Sequence, residues 1–219
     1  MLRLLFSKTG DAVWISHLDT MRLFQRAFKR AGFHLKHTQG FNPRPSVSIA
    51  MPLSVGVESC CELLDFELED QDVSCQLILE RLNASLVSGI RVQQVYENGQ
   101  KLKYLKYLQC HISMEYDAGV PDCAPEDLEA FFKKSEIVVE KKGKNGITEQ
   151  NIAPMIRNIA IRKLDDGILG LDAVISCQEP NLNPVQLIAA VTKYLPQYQP
   201  DFSKCCRQEL FAADGNIFR

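Results

Sequence analysis

The sequence has 219 residues, 46% of them hydrophobic and 24% charged, with a formal net charge of −2. This composition excludes a disordered or collagen-like chain, and no stretch approaches the ~18 uninterrupted apolar residues that read as a membrane helix. Domains cluster near ~100–150 residues, so the length fits two small domains better than one large one.

In chain order, RLLFSK (Arg3 to Lys8) and AVWIS (Ala12 to Ser16) are short apolar runs around Thr9-Gly10-Asp11, which predicts a strand turning into a hairpin or bend. Lys8 and Asp11 interrupt the N-terminal apolar run, and no small-residue cleavage site follows, so a signal peptide is not expected and the cytoplasm is the expected location. Ser16 then stands as the N-cap of a helix, with Asp19 three residues on in the position of a shortened capping box. Leu18, Met21, Phe24, Ala27, Phe28 and Ala31 recur at helical spacing and predict one buried face. Gly32 supplies the stop.

Beyond a loop at 38–45, SVSIAMPL (Ser46 to Leu53) and CCELLDFEL (Cys60 to Leu68) predict two strands. In the second, Leu64, Phe66 and Leu68 should face one way and Asp65 and Glu67 the other. A helix over 73–86 and a strand over 90–97 complete the order βαββαβ, that of a ferredoxin-like unit with helices on one face of an antiparallel sheet and the other face free. After the polar connector 98–106, a strand (107–117), a helix with Pro125 near its start (124–135), a strand (136–142) and the turn Gly143-Lys144-Asn145-Gly146 follow. Two runs about Asp165-Asp166-Gly167 read as a hairpin, Asn183 caps a helix with Pro184 at its start, and CCRQELFAAD closes the chain. The expected fold class is therefore α+β, with two tandem ferredoxin-like units at 1–98 and 107–219.

Charge is divided unevenly along this order. Residues 1–50 hold eight Lys and Arg against two Asp, a balance of +6, whereas residues 51–100 hold nine acids against two bases, a balance of −7. On the first helix Arg22, Arg26 and Arg30 stand four apart and align, with Lys29 beside them and Lys36 and Arg44 following. Such a row is either a solvated helix face or an anion site, and arginine suits phosphate because its planar fork makes two charge-assisted bonds at once. Trp14, Phe33 and Phe41 are interleaved, and an exposed aromatic beside arginine would stack unpaired bases. Thr38-Gln39-Gly40-Phe41-Asn42-Pro43-Arg44-Pro45 is heavily constrained: Gly40 permits a positive φ while Pro43 and Pro45 push Asn42 and Arg44 towards extended backbone. A pre-ordered loop of this kind loses little entropy on binding, which makes Asn42 and Arg44 candidate contacts.

His17, His34 and His37 share the region. His17 is the candidate for proton transfer in a metal-independent cleavage of RNA; His34 and His37, on a strand, would point to opposite faces. Eight cysteines include two adjacent pairs and no C-x-x-C, which fits reduced thiols better than a metal site. Phosphate-binding glycine loops, G-x-S-x-G and H-E-x-x-H are missing, as is the three-cysteine cluster that radical S-adenosylmethionine chemistry needs. No metal or cofactor is expected.

The combination Ile15-Ser16-His17-Leu18-Asp19, Gly40-Phe41-Asn42-Pro43, and Pro52-Leu53 to Gly56-Val57-Glu58-Ser59 resembles the radical-SAM-linked (radical-SAM-associated) proteins, a bacterial domain of unknown function. The resemblance spans the chain and is weaker in the second half. It implies a companion of a radical S-adenosylmethionine protein, often encoded near genes for ribosomal proteins and RNA processing, and implies no assigned reaction. At a looser level, the fold order with its basic helix is similar to that of CRISPR repeat-processing endoribonucleases, an analogy of fold alone. Taken with the basic helix, the expectation is a non-catalytic adaptor that binds transfer or ribosomal RNA and acts with that partner enzyme. The alternatives are a protein-interaction module for the same partner and a metal-independent endoribonuclease.

Overall fold

The computed structural model describes residues 1–70, 72–143 and 146–219, so Lys144 and Asn145 of the expected turn lie outside the described residues. The chain divides into two units, residues 1–102 with Arg219 and residues 103–218. Among the described residues no helix is long and apolar enough to cross a membrane.

The first unit runs β1 (Leu2–Lys8), a 3-10 turn (Gly10–Trp14), α1 (His17–Arg30), β2 (Val47–Ile49), β3 (Glu58–Phe66), α2 (Cys75–Ser85) and β4 (Ile90–Glu97). Its strands lie in the order β4-β1-β3-β2, each antiparallel to its neighbours. This is a ferredoxin-like arrangement. Leu4, Phe6, Leu64, Phe66 and Val92 of the sheet meet Phe24 and Phe28 of α1 and Ile78 and Leu82 of α2 in one buried cluster. Phe6 and Phe24 pack edge to face with ring centroids 4.7 Å apart, a favoured geometry for two quadrupoles.

Of the hairpin and the bend expected about Thr9-Gly10-Asp11, the chain takes the bend: AVWIS is the end of the 3-10 turn and the lead into α1, held by the buried Lys8 ammonium, whose Nζ donates to the Val13 carbonyl at 3.3 Å and to that of Ile15 at 2.6 Å. Two expectations for this unit are corrected. Leu18 is exposed, since the buried face of α1 is set by Thr20, Phe24, Ala27 and Phe28, and Leu18, two residues before Thr20, lies about 200° round the helix from it. The second sheet face is not free. Leu5, Cys61 and Leu63 are buried there, and Asp65 is buried as the partner of Arg3. That pair is bidentate, Nε to Oδ1 at 2.6 Å and Nη2 to Oδ2 at 3.0 Å, while Nη1 donates to the Gln100 carbonyl at 2.8 Å. Arg3 and Lys8 therefore belong to the core, and the surface charge of the first 50 residues is smaller than the count of +6 implied.

The second unit runs β5 (Leu105–Glu115), α3 (Ala124–Phe132), β6 (Val138–Gly143), β7 (Gly146–Asn151), β8 (Ile156–Asp165), β9 (Ile168–Ser176), α4 (Val185–Tyr194) and β10 (Phe202–Ala212). Its strands lie in the order β10-β5-β9-β8, all antiparallel, and β6 and β7 form a separate hairpin inserted after α3. Without that insertion the order repeats the first unit. Leu108, Cys110, Ile112 and Met114 of β5 are buried, while the alternate residues Tyr107, Gln109, His111, Ser113 and Glu115 are half-exposed. This period-two pattern gives a sheet covered on one face and accessible on the other.

All eight cysteines carry unbridged sulfur, and among the described residues no cluster of three or more His, Cys, Asp or Glu could hold a metal ion. Within the adjacent pairs Cys61 and Cys205 are buried while Cys60 is exposed and Cys206 half-exposed, as opposite faces of a strand require. Burial pushes the Cys177 thiol up to about 12 and that of Cys205 to about 11, so neither is a ready nucleophile at neutral pH.

Candidate functional site

The start of α1 is fixed from three directions. The Asp19 N–H donates to Ser16 Oγ at 3.2 Å, and the Ser16 hydroxyl donates in turn to Asp19 Oδ2 at 2.7 Å. Lys8 holds the carbonyls just before the cap. On the outer side, the Gly10 N–H donates to Glu58 Oε1 at 3.0 Å and the Gly56 N–H to the Val13 carbonyl at 3.0 Å. Gly56, at φ +84°, has the Trp14 ring above it: a Cβ would lie 3.5 Å from that ring. The two segments Ile15 to Asp19 and Gly56 to Glu58 thus form one joint, with Trp14 standing out of it at 69% exposure. Leu18 and Val55 are also exposed beside this joint.

The cap has a measurable worth. Ser16→Ala should destabilise the unit by about 1 kcal/mol, the usual cost of a lost N-cap, read as a shift in the urea midpoint at constant slope. The Ser16 hydroxyl, and after it Arg22, holds the Asp19 carboxyl below its ordinary value of 3.8. A folded pKa lowered in this way means that the stabilisation is complete above that ordinary value and is lost as pH falls through the folded one.

A groove of about 510 Å³ lies along one flank of α1, lined by Ile15, Asp19, Arg22, Leu23, Arg26, Arg30 and Val87. The helical period brings the three arginines there, 40° apart in azimuth at each four-residue step by simple geometry at ~3.6 residues per turn. Arg22 Nη1 lies 2.9 Å from Asp19 Oδ1, with both side chains more than half exposed, a pair of little energetic worth. Arg30 Nη2 donates to the Ser85 carbonyl at 2.7 Å. The Arg26 guanidinium makes no hydrogen bond among the described residues and has only the Asp19 charge near it. The groove therefore offers one guanidinium free of hydrogen bonds, flanked by two whose partners an anion can displace.

Its far wall depends on Gly89. This residue has φ +83°, its carbonyl accepts from the Thr9 N–H at 2.8 Å, and a Cβ on it would fall 2.4 Å from the Thr9 carbonyl oxygen and 2.8 Å from the Ala12 Cβ. Contact that close is available only to glycine. The turn bearing Val87 can then sit directly against the 3-10 turn that leads to Ile15.

Lys29 does not share the arginine groove. It lines a second one of about 340 Å³ on the other flank of α1, with Gln25, Phe33, His34, Leu35, His37, Pro45 and Glu69. Here His34 and His37 come to one groove, against the expectation of opposite faces, because 33–37 is not a regular strand and touches its neighbours only through single bridges, Leu35 to Leu68 and His37 to Pro45. His34 Nδ1 lies 3.9 Å from Asp70 Oδ2. Phe33 is buried, so its ring is core and takes no part in stacking.

The 38–45 loop is closed by reciprocal bonds: the Thr38 N–H donates to the Arg44 carbonyl at 2.8 Å and the Arg44 N–H to Thr38 Oγ1 at 3.1 Å. Gly40 has φ +139°, and Phe41 at the tip is fully exposed. Lys36 Nζ stands 4.0 Å from Glu67 Oε2. Neither groove is lined by His17, Lys36, Asn42, Pro43 or Arg44, so the sequence-predicted residues divide between two flanks of α1 and a separate loop and do not form one cleft. Sequence reasoning missed Ile15, Leu23 and Val87, since apolar residues give no signal of lining a charged groove.

A chain in the crystal structure of a Cbf5-Nop10-Gar1 complex superposes with a TM-score of 0.52 at 7% identity, covering 95% of this chain and 48% of that one, so this chain spans about half its length. At that identity the likeness shows the fold alone. An unknown protein from Galdieria sulphuraria aligns over 94% of this chain and 96% of its own at 9% identity, with a TM-score of 0.26, too low to bear on the argument. No curated protein matches the sequence. Residues 1–184 match the family described as "uncharacterized protein conserved in bacteria (DUF2344)", and the chain belongs to that family.

Proposed function

We propose that this protein is a non-catalytic RNA-binding adaptor, taking transfer or ribosomal RNA along α1 and acting with a radical S-adenosylmethionine partner enzyme. The observation that carries the reading is the groove with Arg22, Arg26 and Arg30 in a row on one flank of α1. Phosphates spaced along a strand match such a row, and exposed Trp14 supplies a ring for an unpaired base. The partner rests on the sequence resemblance. Exposed Trp14, Leu18 and Val55 beside arginines have the composition of a protein contact as well, since Trp and Arg dominate interface energies. Filter binding with transfer and ribosomal RNA across a salt series tests the RNA part; co-purification of the radical enzyme, before and after nuclease, tests the partner and separates a direct protein contact from one bridged by RNA.

The meeting of His34, His37 and Lys29 in one groove favours a second reading, the metal-independent endoribonuclease, with these histidines in place of His17. One histidine would take the 2′-hydroxyl proton as that oxygen attacks phosphorus, the other would give a proton to the leaving 5′-oxygen, and Lys29 would face the developing charge. Its expected result is cleavage in EDTA with 2′,3′-cyclic phosphate ends, reduced at least 100-fold in His34→Ala and His37→Ala, given the ~10²–10⁴ that general acid or base catalysis contributes. Intact RNA after prolonged incubation excludes it.

A further inference from the structure

The accessible sheet face of the second unit holds a pocket of about 300 Å³, lined by Tyr107, Arg157, Asn158, Val174, Phe211 and Gly215. Strand register explains the company: Tyr107 is paired with Phe211, and Val174 with Asn158, and cross-strand partners share a face. The Arg157 guanidinium lies over the Tyr107 ring at 4.7 Å from its centroid.

The polar groups along this face are of two kinds. Near the middle, His111 Nδ1 is 2.8 Å from Asp172 Oδ1, Arg162 Nη2 donates to Asp172 Oδ2 at 3.0 Å, and Lys204 Nζ donates to Glu115 Oε1 at 3.0 Å. These groups satisfy one another. At the Tyr107 end, among the described residues, the Arg157 guanidinium has no acidic partner, and neither the Asn158 amide nor the Tyr107 hydroxyl makes a hydrogen bond. A cation, an amide with donor and acceptor, and a hydroxyl thus surround a floor made by Val174 and Phe211. A flat, π-bonded, hydrogen-bonding ligand satisfies all of them at once.

We infer that this pocket binds one unpaired nucleobase, stacked against the Tyr107–Arg157 pair with Asn158 reading its edge. Stacking on an aromatic ring or a guanidinium plane is how unpaired bases are held, and an amide side chain bonds to a base edge. The volume stands at the lower end for a small-molecule pocket, which are ~300–1,000 Å³, and suits a single base. The inference deepens the RNA reading and rests on it for the polymer. The pocket itself is separately testable.

The full chain is titrated with adenosine 5′-monophosphate, uridine and inorganic phosphate while the NMR signals of Tyr107, Asn158 and Val174 are followed, and with single-stranded oligoadenylate and oligouridylate by anisotropy. The expected result is movement of those signals by the two nucleobase ligands and not by phosphate, abolished in Tyr107→Leu and in Arg157→Met. Oligonucleotide affinity should fall between about 5-fold and 150-fold in Tyr107→Leu, the worth of one stacked base, with the salt dependence unchanged. Both variants change partly or fully exposed side chains, and the retained spectrum reports folding directly. Movement by phosphate alone, or no movement with oligonucleotide binding equal in the wild type and both variants, overturns the pocket and leaves the arginine groove standing. Movement by nucleobases without any salt-dependent RNA binding upholds the pocket and overturns the adaptor reading.

Discussion

Replacing Arg22, Arg26 and Arg30 together by Ala is expected to weaken RNA binding roughly 100-fold at about 0.1 M salt, since each phosphate contact contributes ~0.7–0.9 to the slope of log affinity against log salt. The slope itself should fall by about 2, which distinguishes lost phosphate contacts from general damage. Alanine is the best helix former, so α1 should persist, and its ellipticity checks that it does. Single substitutions should differ in order: the Arg26 guanidinium has no hydrogen bond to give up among the described residues and feels only the charge of Asp19, whereas Arg22 is bonded to Asp19 and Arg30 to the Ser85 carbonyl. Arg26→Ala is therefore expected to cost the most of the three, and Asp19→Asn to strengthen binding by releasing Arg22. An unchanged slope in the triple variant would remove the groove from any account of RNA contact.

The largest stability effect should come from the Arg3–Asp65 pair. Its side chains are 2% and 10% exposed, and both carboxylate oxygens are engaged by the guanidinium. Removing one member leaves the other charge buried without its counter-ion, so Arg3→Ala or Asp65→Ala should each cost about 3–5 kcal/mol. Replacing both by apolar residues, Arg3→Met with Asp65→Leu, should return most of that loss, because the desolvation penalty of both ions disappears with them. Urea unfolding of the two single variants and the double one tests this. Costs below about 1 kcal/mol for the singles, the range of exposed pairs, would show that water reaches the pair in solution.

That same pair marks where sequence reading stops. Elements with an uninterrupted period were legible: Ile90–Glu97 is a strand at the residues expected, Ser16 caps its helix, and Asp166-Gly167 turns a hairpin. Two ferredoxin-like orders followed from element type alone, and the sheet orders agree with them. Asp65 looked solvent-facing because alternation reports which side of a strand a residue occupies, while whether that side is covered depends on chain 62 residues away. AVWIS has the residues of a strand as well as of a bend, and what selects the bend lies outside it: buried Lys8 takes the Val13 and Ile15 carbonyls, and the Gly56 N–H takes that of Val13. The arginine row was visible from spacing, and the grooves were not, since their other walls come from Val87, Pro45 and Glu69. Tyr107 and Arg157 are 50 positions apart, and nothing local to either announces the other.

The near contact at Gly89 has a consequence for the family. Any side chain there must part the turn carrying Val87 from the backbone at Thr9 and Ala12, which changes the breadth of the arginine groove without altering a residue that a ligand would touch. Position 89 thus acts as a gauge of groove width. Relatives with glycine there should keep the arginine row, and those that have replaced it should have lost the row as well, a pairing that a survey of sequences can score before any protein is purified.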